Sequence, residues 1–67
     1  MTEATKKPLA RLSAPYGRQL AIDEMQFEGG MRLLRITIRE GSRITQVELD
    51  HATAEGLLAA LGTWVAN

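Results

Sequence analysis

The amino-acid sequence predicts an α+β domain of the order βββα. A three-stranded antiparallel meander, order 1-2-3, is expected to pack one face against a single C-terminal helix. Three observations predict this fold. Apolar and polar residues alternate over residues 32–39 and again from residue 44. A Gly-Gly and a Gly-Ser dipeptide each supply a two-residue turn between strands. Residues 50–66 carry apolar side chains at helical spacing.

The first predicted strand, residues 18–28, contains a fault in its alternation. Its apolar residues are Leu20 and Ile22 on one parity and Met25 and Phe27 on the other. A β-bulge at 23–24 would return both sets to one face, and we predict a bulge there. The alternative is that 18–23 is irregular and that only the second half of the segment pairs.

The second and third strands form a hairpin whose register is fixed by its loop. Gly41 suits the first central position of a type II′ turn, where φ is positive. One face of this hairpin then carries Leu34, Ile36 and Ile38 opposite Leu49, Val47 and Thr45. On the other face Arg35 lies opposite Glu48, which predicts a stabilising cross-strand charge pair.

Asp50 is predicted to be the N-cap of the helix, because its carboxylate can accept from the free N–H groups of the first turn. The apolar stripe of the helix is formed by Ala54, Leu57, Leu58, Leu61, Trp64 and Val65. Gly56 and Gly62 each cost roughly 1 kcal/mol relative to Ala. Close approach of another helix and neglect on a surface face are equally good explanations for them.

The chain is short enough to hold one domain only, with 67 residues. We expect residues 1–14 to be a flexible N-terminal tail and residues 15–67 to be the βββα domain. A core of this size supplies only about 3–5 kcal/mol without a staple. The chain has no cysteine and therefore no disulfide. The sequence thus favours a homodimer or another protein partner.

The formal net charge is zero, but basic and acidic blocks alternate along the chain. The arginines that could contact a polyanion are Arg18, Arg35, Arg39 and Arg43, helped by Lys6, Lys7 and Arg11 of the tail. Single-strand binders also need stacking aromatics, and this chain has three aromatic residues in all. The predicted registers place Glu24 and Glu48 beside Arg35, so a self-neutralised face is favoured over nucleic-acid binding.

The sheet face away from the helix is predicted to carry apolar residues that interrupt its polar surface. They are Ala21, Met31, Leu33 and Ile44. Such a patch is typical of a protein-interaction surface. A free edge of the first or third strand, which could pair with another sheet, is the alternative dimer surface.

No group of residues indicates catalysis, a cofactor or a metal site. The single histidine, His51, is predicted to be exposed in the first helical turn, and neither Ser13 nor Ser42 lies in a motif with a base. We expect a cytoplasmic protein, since no apolar run is long enough to span a membrane and the N-terminus lacks a secretory apolar segment.

Three segments carry a family resemblance: residues 14–18, residues 38–41 and the helix start at 48–54. In these segments the chain resembles a family of short bacterial proteins, mainly alphaproteobacterial, of unknown function. The resemblance extends over residues 14–66 and implies no activity. The sequence therefore predicts a small interaction or accessory protein without catalytic activity. A weak polyanion-binding module is the alternative, and a subunit that contributes no complete site to an enzyme is the least favoured hypothesis.

Overall fold

The computed structural model describes residues 4–67 and contains one antiparallel sheet of four strands followed by one α-helix, with a short 3-10 turn, Pro15–Gly17, between the first two strands. The elements are β1 (Thr5–Ala14), β2 (Arg18–Gln26), β3 (Arg32–Glu40), β4 (Arg43–Leu49) and α1 (His51–Ala66), and the strand order is β1-β2-β3-β4. The radius of gyration is 13.5 Å, whereas a compact domain of this length has a value of about 11 Å. The chain is thus α+β as predicted, but it is an open structure.

The additional strand, β1, is the main departure from the predicted fold. Residues 5–14 were expected to be a flexible tail, yet they pair with β2 along its whole length. The segment is suited to a strand position, because residues 10–14 alternate apolar and polar side chains. Its backbone also pairs with the N–H and C=O groups at the edge of β2. The register shifts between Pro8 and Ala10, so the bulge of this sheet lies in β1. Residues 1–3 of the predicted tail lie outside the described residues.

The predicted bulge at 23–24 is wrong, and β2 runs in one register against β3 from Arg18 to Gln26. The Gly-Gly turn is longer than predicted: Phe27 N–H donates to the Met31 carbonyl at 2.8 Å and closes a three-residue loop. Gly29 and Gly30 both have positive φ within it. One additional loop residue reverses the parity of the pairing, and Met25 therefore lies opposite Leu33 on the other face of the sheet.

The β3–β4 hairpin confirms the predicted register at every position. Ile36 pairs with Val47, and Arg35 pairs with Glu48. Gly41 has a φ of +61°, as its place in the turn requires. The two-residue loop fixes which residues of β3 and β4 face each other, and for this reason the local sequence was sufficient to predict the register.

The helix begins as predicted, with Thr53 N–H donating to the Asp50 carboxylate at 2.8 Å. Its predicted packing across one face of the sheet is not found within the chain. Only the first turn lies close to β3 and β4, where Ala54 is half-buried. All residues from Glu55 to Asn67 are exposed. The physical reason lies in the connection, because a single residue between strand and helix directs α1 away from the sheet.

Candidate interaction surfaces

The centre of one face of the sheet is aliphatic, and we call it the aliphatic face. Its residues are Leu12, Leu20, Ile22, Leu34, Ile36, Ile38, Val47 and Leu49, which share a face through the three registers. They shield one another laterally, and none of them is buried. Leu12 and Val47 remain 50% and 47% exposed. Residues 4–67 therefore build an apolar layer, and no part of this described chain packs over it.

Ion pairs lie at the two ends of the aliphatic face. Arg18 contacts Glu40 at 2.7 Å beside Leu20 at one end, and Arg32 contacts Glu24 at 3.4 Å at the other. Both pairs are partly exposed and contribute little to the stability of the chain alone. An apolar centre with a polar rim is the arrangement found in protein–protein interfaces.

A second apolar surface is the helix stripe, formed by Leu57, Leu58, Leu61, Trp64 and Val65. Leu58 is 71% exposed and Trp64 is 78% exposed. Beyond Glu55 the helix carries no charged residue at all. A helix that lacks a charged face is typical of a buried position. The surface of α1 is thus suited to contact with another layer of protein.

Gly56 and Gly62 support the same interpretation of the helix. A Cβ atom built on either residue would meet nothing within 4 Å. Neither glycine is required by contacts inside the chain, although each lowers helix stability by roughly 1 kcal/mol relative to Ala. Close approach of a second polypeptide is a physical reason for their presence.

A crevice of about 370 Å³ lies where the helix leaves the sheet. Leu34 and Leu49 line it from the sheet, and Ala54 lines it from the helix. The ion pair between Glu24 and Arg32 borders the same crevice. The aliphatic face therefore reaches the base of the helix through Leu34 and Leu49.

The opposite side of the sheet, which we call the charged face, contains the two buried residues of the described chain. Met25 is 5% exposed and Asp23 is 2% exposed. An Nη1 atom of Arg11 donates to the Asp23 carboxylate at 3.0 Å, so the buried charge is paired. Sequence reasoning missed this pair because Arg11 was assigned to the tail, although the alternation of residues 10–14 indicated a strand.

The predicted polyanion contacts are divided between the two faces. Arg18 lies on the aliphatic face, paired with Glu40, and Arg35 lies on the charged face, paired with Glu48 at 2.7 Å. The expectation that Glu24 lies beside Arg35 is wrong, because Asp23 occupies that position. Within residues 4–67, Arg39 and Arg43 form no ion pair.

Arg39 borders a shallow cleft of about 360 Å³ on the charged face. The polar residues that line this cleft with it are Arg11, Ser13, Gln19 and Thr37. Two arginines and three hydrogen-bonding side chains thus line one concavity, and one of these arginines, Arg11, is already paired with Asp23. The strands bring these side chains together, since each lies on the same face by register.

The four predicted patch residues do not form one surface. Ile44 pairs with Arg39 at one end of β3, whereas Leu33 lies six residues away, or roughly 20 Å along the strand. Ala21 borders the cleft between them, and Met31 lies in the β2–β3 loop. Leu33 instead neighbours Met25, its partner across the strands. Their role in binding a partner stays a prediction.

The titratable residues of the helix start form no larger cluster. His51 Nδ1 lies 3.3 Å from Glu55 Oε1, one helical turn away, and both side chains are exposed. Among residues 4–67, no three His, Cys, Asp or Glu side chains are grouped closely enough to hold a metal ion. No helix in the described part of the chain is both long enough and apolar enough to cross a membrane.

Comparison with known families gives one match. Residues 3–67 match the model of a family of unknown function, DUF6967. The chain belongs to this family. The match confirms the resemblance to a family of unknown function and extends it to β1, which that resemblance left out. The comparisons with curated proteins and with solved structures gave no match.

Proposed function

We propose that this member of DUF6967 is a non-catalytic interaction protein of the cytoplasm that works as a homodimer. The observation that carries the proposal is that two apolar surfaces, the aliphatic face and the helix stripe, are both uncovered within residues 4–67. An exposed apolar surface of this size on a small chain is typical of an interface. Self-association also supplies the core that 67 residues without a disulfide lack.

The exposed area of the chain supports this proposal quantitatively. The chain exposes 5458 Å², whereas the scaling of surface with mass gives roughly 4,200 Å² for a compact monomer of 7.4 kDa. Residues 1–3, which lie outside the described residues, contribute at most about 500 Å² of the excess of about 1,250 Å². The remaining ~750 Å² is close to the ~800 Å² that each partner buries in a standard interface.

Analytical ultracentrifugation over a wide range of protein concentration tests the proposal. We expect a species of twice the chain mass, with a midpoint of urea unfolding that rises with protein concentration because unfolding is coupled to dissociation. A folded monomer whose unfolding midpoint does not depend on concentration would overturn it.

The cleft on the charged face supports a second candidate function, the binding of a polyanion. Arg39 and Arg11 would contact phosphate groups, and the affinity would fall steeply with salt. The test is titration with a single-stranded oligonucleotide at several salt concentrations. Arg39→Ala should weaken binding and reduce the salt slope by about one, whereas the matched control Arg43→Ala, outside the cleft, should change neither. Binding without salt dependence, or equal effects of the two variants, would refute this candidate.

A further inference from the structure

We infer that the occupant of the aliphatic face is the helix of a second copy of this chain, exchanged reciprocally between the two protomers. This inference rests on the proposed homodimer and specifies its geometry. The sheet of each protomer would be covered by α1 of the other, and a two-fold axis would make the two contacts identical. Each of the two contacts covers the aliphatic face of one protomer and the helix stripe of the other.

The dimensions of the two surfaces agree. The helix has 16 residues and is roughly 24 Å long. β3 has nine residues and extends for roughly 30 Å. A helix of this length therefore fits along the aliphatic face, between the ion pairs at its two ends. Trp64 and Leu61 lie in the second half of the helix, far from the sheet of their own chain, and would reach the partner's sheet.

The connection between sheet and helix favours exchange over closure within one chain. Asp50 is the only residue between β4 and α1, and its backbone is extended, with φ −80° and ψ 175°. Its side chain is held as the helix cap by Thr53. In this extended conformation the short connection directs the helix away from its own sheet, and short hinge loops favour exchange of an element between copies.

Other contacts between two copies would use these surfaces less well. Packing two aliphatic faces against each other would leave the helix stripe, with Trp64, exposed. Edge pairing through β1 is opposed by Lys6, Lys7 and Pro8 and by the bulge that follows them, which are features that protect sheet edges. The edge of β4 has no lysine, proline or bulge, and pairing through it is the competing arrangement.

Cross-linking identifies the geometry, because the chain has no cysteine of its own. Two variants, Ile36→Cys on the aliphatic face and Leu61→Cys on the helix, are prepared separately, mixed, unfolded and refolded together, and treated with a short bis-maleimide. We expect the covalent dimer to form in the mixture and not with either variant alone. Cross-linking of Ile36→Cys alone would indicate face-to-face sheets and would refute the inference, as would cross-linking of Leu61→Cys alone.

Lengthening the connection is a second test that does not alter either surface. A flexible Gly/Ser segment of about eight residues, inserted between Leu49 and Asp50, spans roughly 16 Å. This exceeds the ~10 Å between packed layers of secondary structure. The helix could then cover its own sheet, and we expect the mass to fall from two chains to one, with helix content retained.

The outcomes of the insertion separate the inference from the proposal on which it rests. A dimer that persists with unchanged affinity after the insertion would refute helix exchange, leave the homodimer standing and point to the β4 edge. A wild-type protein that is monomeric before any insertion would refute both. The same insertion placed between Gly29 and Gly30, in the β2–β3 loop, is the matched control and should leave the dimer intact.

Discussion

The charged face and the aliphatic face belong to the same sheet, yet they shield their residues differently. On the charged face, long side chains lie across their neighbours: Arg11 covers Asp23, and Lys6 and Leu33 flank Met25. On the aliphatic face the side chains are short and branched, stand upright from the sheet, and shield one another only sideways. A single layer can therefore bury residues beneath long cationic side chains, whereas aliphatic residues need a second layer.

The difference has a functional consequence. The charged face is largely satisfied inside the chain, because Asp23, Arg35 and Glu48 all have ionic partners. The aliphatic face is not, and its exposed Leu, Ile and Val side chains favour contact with protein by the hydrophobic effect. The proposed protein-interaction surface is therefore the aliphatic face, which was expected to be covered by the chain's own helix, and not the predicted patch around Leu33 and Ile44.

Truncation at the centre of the aliphatic face should have the largest effect. Ile36→Ala should lower the free energy of unfolding by roughly 2–5 kcal/mol, as expected for a core position, because the partner helix buries this side chain. The neighbouring residue on the charged face is the control, and Thr37→Ala should cost less than about 1 kcal/mol. Urea unfolding followed by circular dichroism measures both. Equal effects of the two substitutions would mean that the aliphatic face is uncovered in solution.

Removal of the cation over Asp23 should have an intermediate effect, confined to the charged face. Arg11→Ala leaves a buried carboxylate without its partner and should cost about 1–3 kcal/mol. Arg39→Ala, which removes an arginine of the same face that has no ion pair within residues 4–67, should change the stability by less than about 0.5 kcal/mol. Addition of Asp23→Asn to Arg11→Ala should restore part of the loss, since the uncompensated charge disappears. Urea unfolding of wild type, the two single variants and the double variant measures how much the Arg11–Asp23 ion pair contributes to the free energy of unfolding.

The smallest effect is expected at the helix cap, and it depends on pH. Hydrogen bonds from the side chain and the backbone N–H of Thr53 hold the pKa of the Asp50 carboxyl below its ordinary value of 3.8. A lowered pKa means that the cap stabilises the folded state at pH values above 3.8. This stabilisation is lost as the pH falls through the lowered pKa. Helix content and dimer affinity should decrease slightly together in this acid range.

Asp50→Asn is the control for the pH effect, because an amide still caps the helix but does not titrate there. The difference between wild type and this variant, measured by circular dichroism between neutral and acid pH, should appear only in the acid range. If wild type and Asp50→Asn lose helix content equally as the pH falls, the acid effect belongs to other carboxylates.

Local chemistry was sufficient for several parts of this protein. The two-residue loop at Gly41 determined the whole β3–β4 register, and Asp50 determined where the helix begins. The alternation of residues 34–38 determined which side chains form the aliphatic face. In each case the decisive interaction lies within a few residues of the chain or directly across one tight turn, so the sequence contains all the information that is needed.

Tertiary structure decided the remaining features. β1 is a strand because the edge of β2 offers it hydrogen bonds, and its own composition of Lys, Thr and Pro is equally compatible with a tail. One further residue in the loop at Gly29 moved Met25 to the charged face, and the alternation of β2 therefore needs no bulge. The helix was predicted to cover a sheet, but its amphipathic pattern does not specify whose sheet. The geometry of the one-residue connection at Asp50 decides that the helix points away from its own.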